Sequence, residues 1–290
     1  MNDKQQIIVF GEVLFDCFPD GAQVLGGAPF NVAWHLAALG DRPRFVSRVG
    51  DDALGRSILD AMREWGMDTS SVQVDAEHPT GHVQVEMSEG EPNYTITPDV
   101  AYDFIDAEPV RALPAGGVLY HGSLALRNPV ARAAFQALVD DPERSVFLDV
   151  NLRAPWWTLD EVHAWLTRAR WAKMNEQELL DLGFDAADVR ENMEALQARF
   201  SVEQVIVTRG KKGVLVRDGA GAFHEAPPRE LERRVDPVGA GDAFSAVYLH
   251  GLCAGRSLRE TLDQARDFAE KMIGIRGATP SALSFYEDVV

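Results

Sequence analysis

Short apolar runs alternate with amphipathic stretches along most of this 290-residue chain, and that rhythm restricts its fold more than any other feature. Ile7–Phe10, Arg44–Val49, Val118–His121, Val146–Val150, Trp171–Met174 and Val205–Thr208 each read as a strand, with Val214–Arg217 paired beside the last. Phe30–Leu39, Ala53–Trp65, Pro129–Val139, a stretch from Glu176, Ala240–Cys253 and Leu258–Ile273 read as helices. Gly40 and Gly66 follow two of these, where a glycine commonly ends a helix. Strand–helix alternation predicts an α/β fold, a mostly parallel central sheet with helices on both faces. The length admits one large domain of this kind or two small ones.

One region departs from the rhythm. Gly81–Met87 and Asn93–Thr97 alternate with period two, Val83, Val85 and Met87 on one face and His82, Gln84 and Glu86 on the other. Ser88-Glu89-Gly90-Glu91-Pro92 is the turn between them. The pattern predicts a hairpin with one wet face. It forms either a small projecting sheet together with Glu12–Phe18 or an edge hairpin of the main sheet.

Lysine plus arginine number 28 and aspartate plus glutamate 45, a net charge of −17. Such a field repels nucleic acid and anionic lipid, so neither is expected as a partner. It repels nucleotides as well, so a nucleotide site here needs local backbone N–H groups, helix N-termini or metal. The plain alternative is that the charge serves solubility. No apolar run approaches the ~18 residues of a membrane span, and Met1–Gln6 leads directly into the first strand without a secretory pattern. Two cysteines, Cys17 and Cys253, make no disulfide framework, so a reducing, cytoplasmic setting is expected.

Asp236-Pro237-Val238-Gly239-Ala240-Gly241-Asp242-Ala243-Phe244 is the most informative segment. Its glycines stand at the mouth of a helix, where the N–H groups of Gly239, Ala240 and Gly241 lack intrahelical partners and can face an anion. Asp242 falls in the first turn beside them. It is either a general base that takes a proton from an attacking hydroxyl or a helix-capping aspartate. Thr208-Arg209-Gly210-Lys211-Lys212-Gly213 follows a strand and reads as a cradle for nucleotide phosphates, through Thr208, Gly210 and Gly213, or as a hairpin turn. Asn175-Glu176-Gln177-Glu178 ends another strand. Its Asn-x-x-Glu spacing suits water-bound Mg²⁺ on Asn175 and Glu178, or a capping box.

Near the N-terminus, Gly26-Gly27-Ala28-Pro29-Phe30-Asn31 opens a helix with a backbone surface a ligand can approach. The Asn31 amide offers a donor and an acceptor, matching a sugar diol, and Asp16 can accept two hydroxyl protons. The alternative is a tight turn beside a surface aspartate. His35, His82, His121, His163, His224 and His250 are not spaced as metal ligands. Trp156 and Trp157 are expected to pack, and Asp51-Asp52 to form a turn and cap.

Together these segments resemble the ribokinase-like (pfkB) carbohydrate kinases from end to end. Gly26–Ala33 with Gly40 is similar to that family's N-terminal sugar-binding signature, and Val49-Gly50-Asp51-Asp52-Ala53-Leu54-Gly55 to its Gly-x-Asp-x-x-Gly segment. Asp236–Phe244 is similar to its C-terminal signature, Asp-Thr-x-Gly-Ala-Gly-Asp, and Thr208–Gly213 and Asn175–Glu178 to its nucleotide and Mg²⁺ motifs. The resemblance implies one Rossmann-like three-layer domain over residues 1–290 with a small β lid formed by about 12–18 and 81–103. It implies ATP as phosphate donor, Mg²⁺, Asp242 as base and the amides of Gly239, Ala240 and Gly241 as anion hole. It implies a sugar held by Asp16, Gly26, Gly27 and Asn31. An apolar face on the lid would support a homodimer through it. The resemblance also implies a monovalent cation such as K⁺ near Asp236 and Ser281 of the Gly277–Ser281 loop. Pro237-Val238 departs from the family pattern there, which bears on the cation more than on the catalysis.

Asp149-Val150-Asn151-Leu152-Arg153, with Trp156-Trp157 after it, is similar to the fructokinase branch. Asn151 and Arg153 stand at the carboxyl end of a strand, where ligands of open α/β sheets collect. Arg153 suits sugar oxygens or the carboxylate of a keto-acid sugar such as 2-keto-3-deoxygluconate; a salt bridge is its structural alternative. The leading expectation is a fructokinase-like ATP-dependent sugar kinase. A keto-deoxygluconate kinase, a riboside or nucleoside kinase and a non-catalytic sugar-binding regulator are the alternatives. A dinucleotide oxidoreductase is excluded, since no Gly-x-Gly-x-x-Gly follows Ile7–Phe10.

Overall fold

A computed structural model describes residues 5–88, 91–229 and 235–289. The strands are β1 (Ile7–Phe10), β2 (Leu14–Cys17), β3 (Gln23–Gly26), β4 (Arg44–Gly50), β5 (Val72–Asp75), β6 (Gly81–Ser88) and β7 (Glu91–Ile96), then β8 (Val118–His121), β9 (Ser145–Asp149), β10 (Trp171–Asn175), β11 (Gln204–Thr208), β12 (Val214–Arg217) and β13 (Phe223–Ala226). The helices are α1 (Ala28–Ala38), α2 (Ala53–Glu64), α3 (Ala107–Arg111), α4 (Pro129–Val139), α5 (Leu159–Leu166), α6 (Glu176–Asp181), α7 (Val189–Phe200), α8 (Ala240–Cys253) and α9 (Leu258–Ile273).

Nine strands form one sheet in the order β13-β12-β11-β10-β9-β8-β1-β4-β5. From β11 to β5 every pairing is parallel, and the β12–β13 hairpin adds an antiparallel edge. The central parallel strands are mostly apolar and buried, and alternate residues feed two cores. Ile7, Val9 and Phe147 join Phe30 and Trp34 of α1, Ile58 of α2, Phe244 of α8 and Phe268 of α9. Ile8, Phe10 and Leu148 join Phe135 of α4, Trp165 of α5, Leu179 of α6 and Leu196 of α7. The three-layer α/β architecture expected from the alternation is therefore the one observed.

The period-two region forms a separate four-stranded sheet, β3-β2-β6-β7. Val83 and Val85 are buried, while Gln84 and Glu86 face water. The turn residues Glu89 and Gly90 and the side chain of Met87 lie outside the described residues. β3 belongs to this sheet as well, so the small sheet draws on a third segment beyond 12–18 and 81–103. Asp52 caps α2, accepting from the N–H of Gly55 at 2.8 Å, and also accepts from the Thr80 N–H at 2.8 Å, which ties that cap to the base of β6.

Arg127 anchors the other end of the small sheet. Its guanidinium donates to both oxygens of Asp103, at 2.6 and 2.7 Å, and to the carbonyl of Thr97 at 2.6 Å. It lies over the rings of Trp156 and Tyr102, so Trp156 packs as expected. Both partners of this ion pair are almost fully buried. Removing one leaves an uncompensated charge, so Arg127→Met should lower stability by about 3–5 kcal/mol. The double variant Arg127→Met/Asp103→Asn should recover part of that loss, read from urea unfolding midpoints.

Candidate active site

Two helix N-termini meet at the carboxyl end of the central sheet, where ligands of open α/β folds bind. α1 enters through Gly26 and Gly27. Gly27 has φ 110°, and a Cβ there would stand 2.7 Å from the Glu12 carbonyl oxygen, so only glycine fits. α8 enters through Gly239, at φ 78°, where a Cβ would meet Ala278 Cβ at 2.4 Å. The Asp236–Gly239 turn is thereby pressed onto the Gly277–Ser281 loop.

Asp242 does not cap α8; Gly239 is the N-cap and no side chain caps the helix. The Asp242 carboxylate instead accepts from the Asn31 amide, Nδ2 to Oδ2, at 2.8 Å. Asn31 is 4% exposed, and its Oδ1 has no partner among the described residues. A buried acceptor left open in this way suits a hydroxyl donor from a ligand. Burial pushes the Asp242 carboxyl up to about 6; Asn31, Lys173 and Arg153 oppose the shift and Asp149 adds to it. Glu12, buried beside it with an unpartnered Oε2, is pushed up by burial to about 7.

Of the three amides expected to form an anion hole, Gly239, Ala240 and Gly241, one is engaged within the chain. The Ala240 N–H closes a turn on the Pro237 carbonyl at 3.3 Å, which draws it away from a ligand. The N–H groups of Gly239, Gly241 and Asp242 have no hydrogen-bond partner among the described residues.

Asp16 projects from β2, half-buried, and burial raises its carboxyl while the Arg153 guanidinium opposes the rise. Arg153 is exposed and makes no ion pair among the described residues; its Nη1 donates to the Leu152 carbonyl at 3.3 Å. Asn151 turns the chain after β9 with φ 38°, a left-handed conformation that asparagine tolerates better than most residues. Its carbonyl accepts the Ser123 hydroxyl at 2.9 Å. Asp16, Gly27, Asn31, Arg153 and Asp242 thus share one neighbourhood. Tyr94 of the small sheet faces it: the charges of both Asp16 and Asp236 act on its phenol.

The nucleotide segments line an adjoining cavity of about 870 Å³, with Asn175, Glu176, Thr208, Arg209, Gly210 and Lys212 in its wall. Thr208–Gly213 is the β11–β12 hairpin turn, closed by the Arg209 N–H on the Gly213 carbonyl at 2.8 Å. Asn175 and Glu178 form a capping box, with bonds of 2.8 Å in both directions. The second Glu178 oxygen accepts the Leu152 N–H at 2.9 Å. Both carboxylate oxygens of Glu178 thus accept backbone N–H groups. Asp236 accepts from the Val238 N–H at 3.0 Å and, weakly, from Gly277 at 3.5 Å, which sets it against the loop that carries Ser281.

Four residues escaped the motif reading: Glu12, Tyr120, Lys173 and Ser245. Lys173 had a visible signal, a lysine inside the apolar run Trp171–Met174. The others carry no pattern that separates them from ordinary core or turn residues.

A sheet edge with a glycine-lined helix tip beside a buried carboxylate fits a phosphotransferase acting on a hydroxyl. Residues 5–284 match the family model for pfkB family carbohydrate kinases. The chain belongs to that family. It is 34% identical to the fructokinase of Klebsiella pneumoniae over 268 residues, covering 88% of this chain and 86% of the other. It is 29% identical to the fructokinase of Salmonella typhimurium, covering 100% and 99%. Among solved structures, fructokinase from Vibrio cholerae O395 with fructose, ADP and potassium ion superposes with a TM-score of 0.84 at 26% identity, covering 99% of both chains. An aminoimidazole riboside kinase from Salmonella enterica shares the fold, with a TM-score of 0.83 at 24% identity over 98% of both. The protein is an ATP-dependent sugar kinase of fructokinase-like type.

Gly239→Ala should disrupt both the positive φ and the contact with Ala278. Because it displaces the anion hole, kcat should fall by about 10²–10³, the worth of one such donor, in a coupled ADP-release assay.

Proposed function

We propose that this kinase phosphorylates fructose, with Asp242 as general base. The observation that carries the reading is the Asp242 carboxylate, 2.8 Å from an Asn31 amide whose other atom is open, in the first turn of a glycine-lined helix. Fructose enters between the small sheet, acting as a lid, and the carboxyl edge of the large one. Asn31, Asp16 and the Gly26-Gly27 backbone hold its hydroxyls, with Asn151 and Arg153 on the far side. Asp242 takes the proton of the attacking hydroxyl. The open N–H groups at the tip of α8 receive the charge that builds on the transferring phosphoryl.

ATP lies along Thr208, Gly210 and Gly213, with Arg209 and Lys212 offsetting the negative field of the protein. Mg²⁺, held through water by Asn175 and Glu178, supplies positive charge along the phosphates when bound. Asp236 and the Ser281 loop are placed to hold a monovalent cation beneath the anion hole. The lid exposes Val24 and Tyr94, which favours a second copy of the chain as its partner. Both cysteines are free, in keeping with a cytoplasmic protein.

Electrostatics favour a neutral sugar over a keto-acid. Arg153 shares this site with the carboxylates of Asp16 and Asp242, so a substrate carboxylate placed beside it would meet like charge. In an ADP-release screen, fructose should therefore exceed 2-keto-3-deoxygluconate, ribose and ribosides in kcat/KM; preference for the keto-acid would overturn the assignment.

Asp242→Asn should lower kcat by about 10²–10⁴ with the fructose KM little changed. Near-normal turnover would remove Asp242 from the role of base. The base acts only when ionised, so kcat/KM for the sugar should fall as pH drops through about 6.

A further inference from the structure

A buried charge pair lies directly beneath the first turn of α8. Lys173, on β10 and 6% exposed, places its ammonium 2.7 Å from Asp149 Oδ2 at the end of β9. The same oxygen accepts the Ser245 hydroxyl at 2.7 Å and the Tyr120 hydroxyl at 3.1 Å. Ser245 is one helical turn beyond Gly241 and its Oγ stands 3.0 Å from the Gly241 carbonyl. One carboxylate oxygen thus gathers groups from β8, β10 and α8.

Among the described residues, Asp149 is the one acceptor that the Lys173 ammonium meets. A Cβ built on Gly241 would stand 3.5 Å from Lys173 Nζ. No side chain at Gly241 therefore separates the ammonium from the helix tip. An isolated buried ion pair gains little stability over apolar residues of similar size. Its position under the anion hole gives it a different use.

We propose that Lys173 supplies positive charge to the transferring phosphoryl group through the first turn of α8, and that Asp149, with Ser245 and Tyr120, holds the ammonium in place. Both are positioning residues, since neither touches the sugar. The inference rests on Asp242 as base and on the anion hole at the tip of α8.

The two charges also act on Asp242 with opposite sign, Lys173 favouring its ionised form and Asp149 opposing it. The other groups facing Asp242 are the Asn31 amide from α1, Glu12 after β1, Arg153 after β9 and Tyr120 on β8. None of these changes in the variants below.

The test is the pH–rate profile of the full-length enzyme with ATP and fructose. Lys173→Met should move the acidic side of the kcat/KM profile to higher pH by about half to one unit. Asp149→Asn should move it to lower pH. In Lys173→Met kcat should fall by about ten- to a hundredfold, less than for a direct donor, with the fructose KM within about twofold. The double variant Asp149→Asn/Lys173→Met removes both buried charges; its profile should return toward wild type while kcat stays low. If Lys173→Met does not fold, Lys173→Gln, which keeps an N–H donor for Asp149, serves in its place. Opposite shifts support the proposal. Profiles that stay in place, or that move in the same direction in both variants, overturn it. Asp242→Asn assayed in parallel separates the two readings, because normal turnover there removes the base itself and leaves the charge pair nothing to tune.

Discussion

The hydrogen bond from the Asn31 amide to the Asp242 carboxylate joins two helix tips that stand 211 residues apart in the chain. A hydrogen bond to a charged group contributes about 1.5–3 kcal/mol, too little to hold α1 and α8 together unaided. The helices are held by apolar packing on one face of the sheet, where Phe30 and Trp34 share a core with Phe244 and Tyr248. The polar contact determines what that packing is for. It fixes the orientation of the carboxylate and leaves one amide oxygen open beside it.

The protein's charge makes the local chemistry more demanding. A chain of net charge −17 must bind a triphosphate. That requires a place where backbone N–H groups, a helix dipole or cations outweigh the field around them. Burial does the rest, since a low local dielectric strengthens each of these interactions. The same burial raises Asp242 and Glu12, and so keeps a proton acceptor poised within reach of neutral pH instead of far below it.

The small sheet is attached to the main one both by apolar residues of its root, Leu14, Phe15 and Val83, which join the two cores, and by a few strong polar contacts. Asp52 with Thr80 fastens one root and Arg127 with Asp103 and Thr97 the other. Between those anchors, β6 and β7 run free of the central sheet, with Tyr94 reaching over Asp16 and Asp236.

Elements with strong patterns are legible in the amino-acid sequence alone. Ile7–Phe10, Val118–His121, Pro129–Val139, Ala240–Cys253 and Leu258–Ile273 agree with their observed bounds to the residue. β3, β5 and β13 are not legible, because Gln23–Gly26, Val72–Asp75 and Phe223–Ala226 lie at sheet edges, are partly exposed and break their apolar residues with polar ones, unlike the equally short but fully buried β1 and β8. α7 escapes the pattern because Val189–Phe200 is polar over much of its length and is held by packing rather than by its own periodicity.

The contiguous motifs are readable for a physical reason: a glycine turn followed by a helix start is built from neighbours in the chain. By itself the sequence determined the α/β layering, the two glycine-lined helix tips and the residues that stand on them. Tertiary structure alone decided that Asp242 meets Asn31 and does not cap its own helix, and that the Ala240 N–H closes onto the Pro237 carbonyl. It alone placed Lys173 and Asp149 beneath Gly241. Periodicity reports whether a residue is buried, but contacts between segments, and the protonation states they set, depend on how separate strands and helices pack in space.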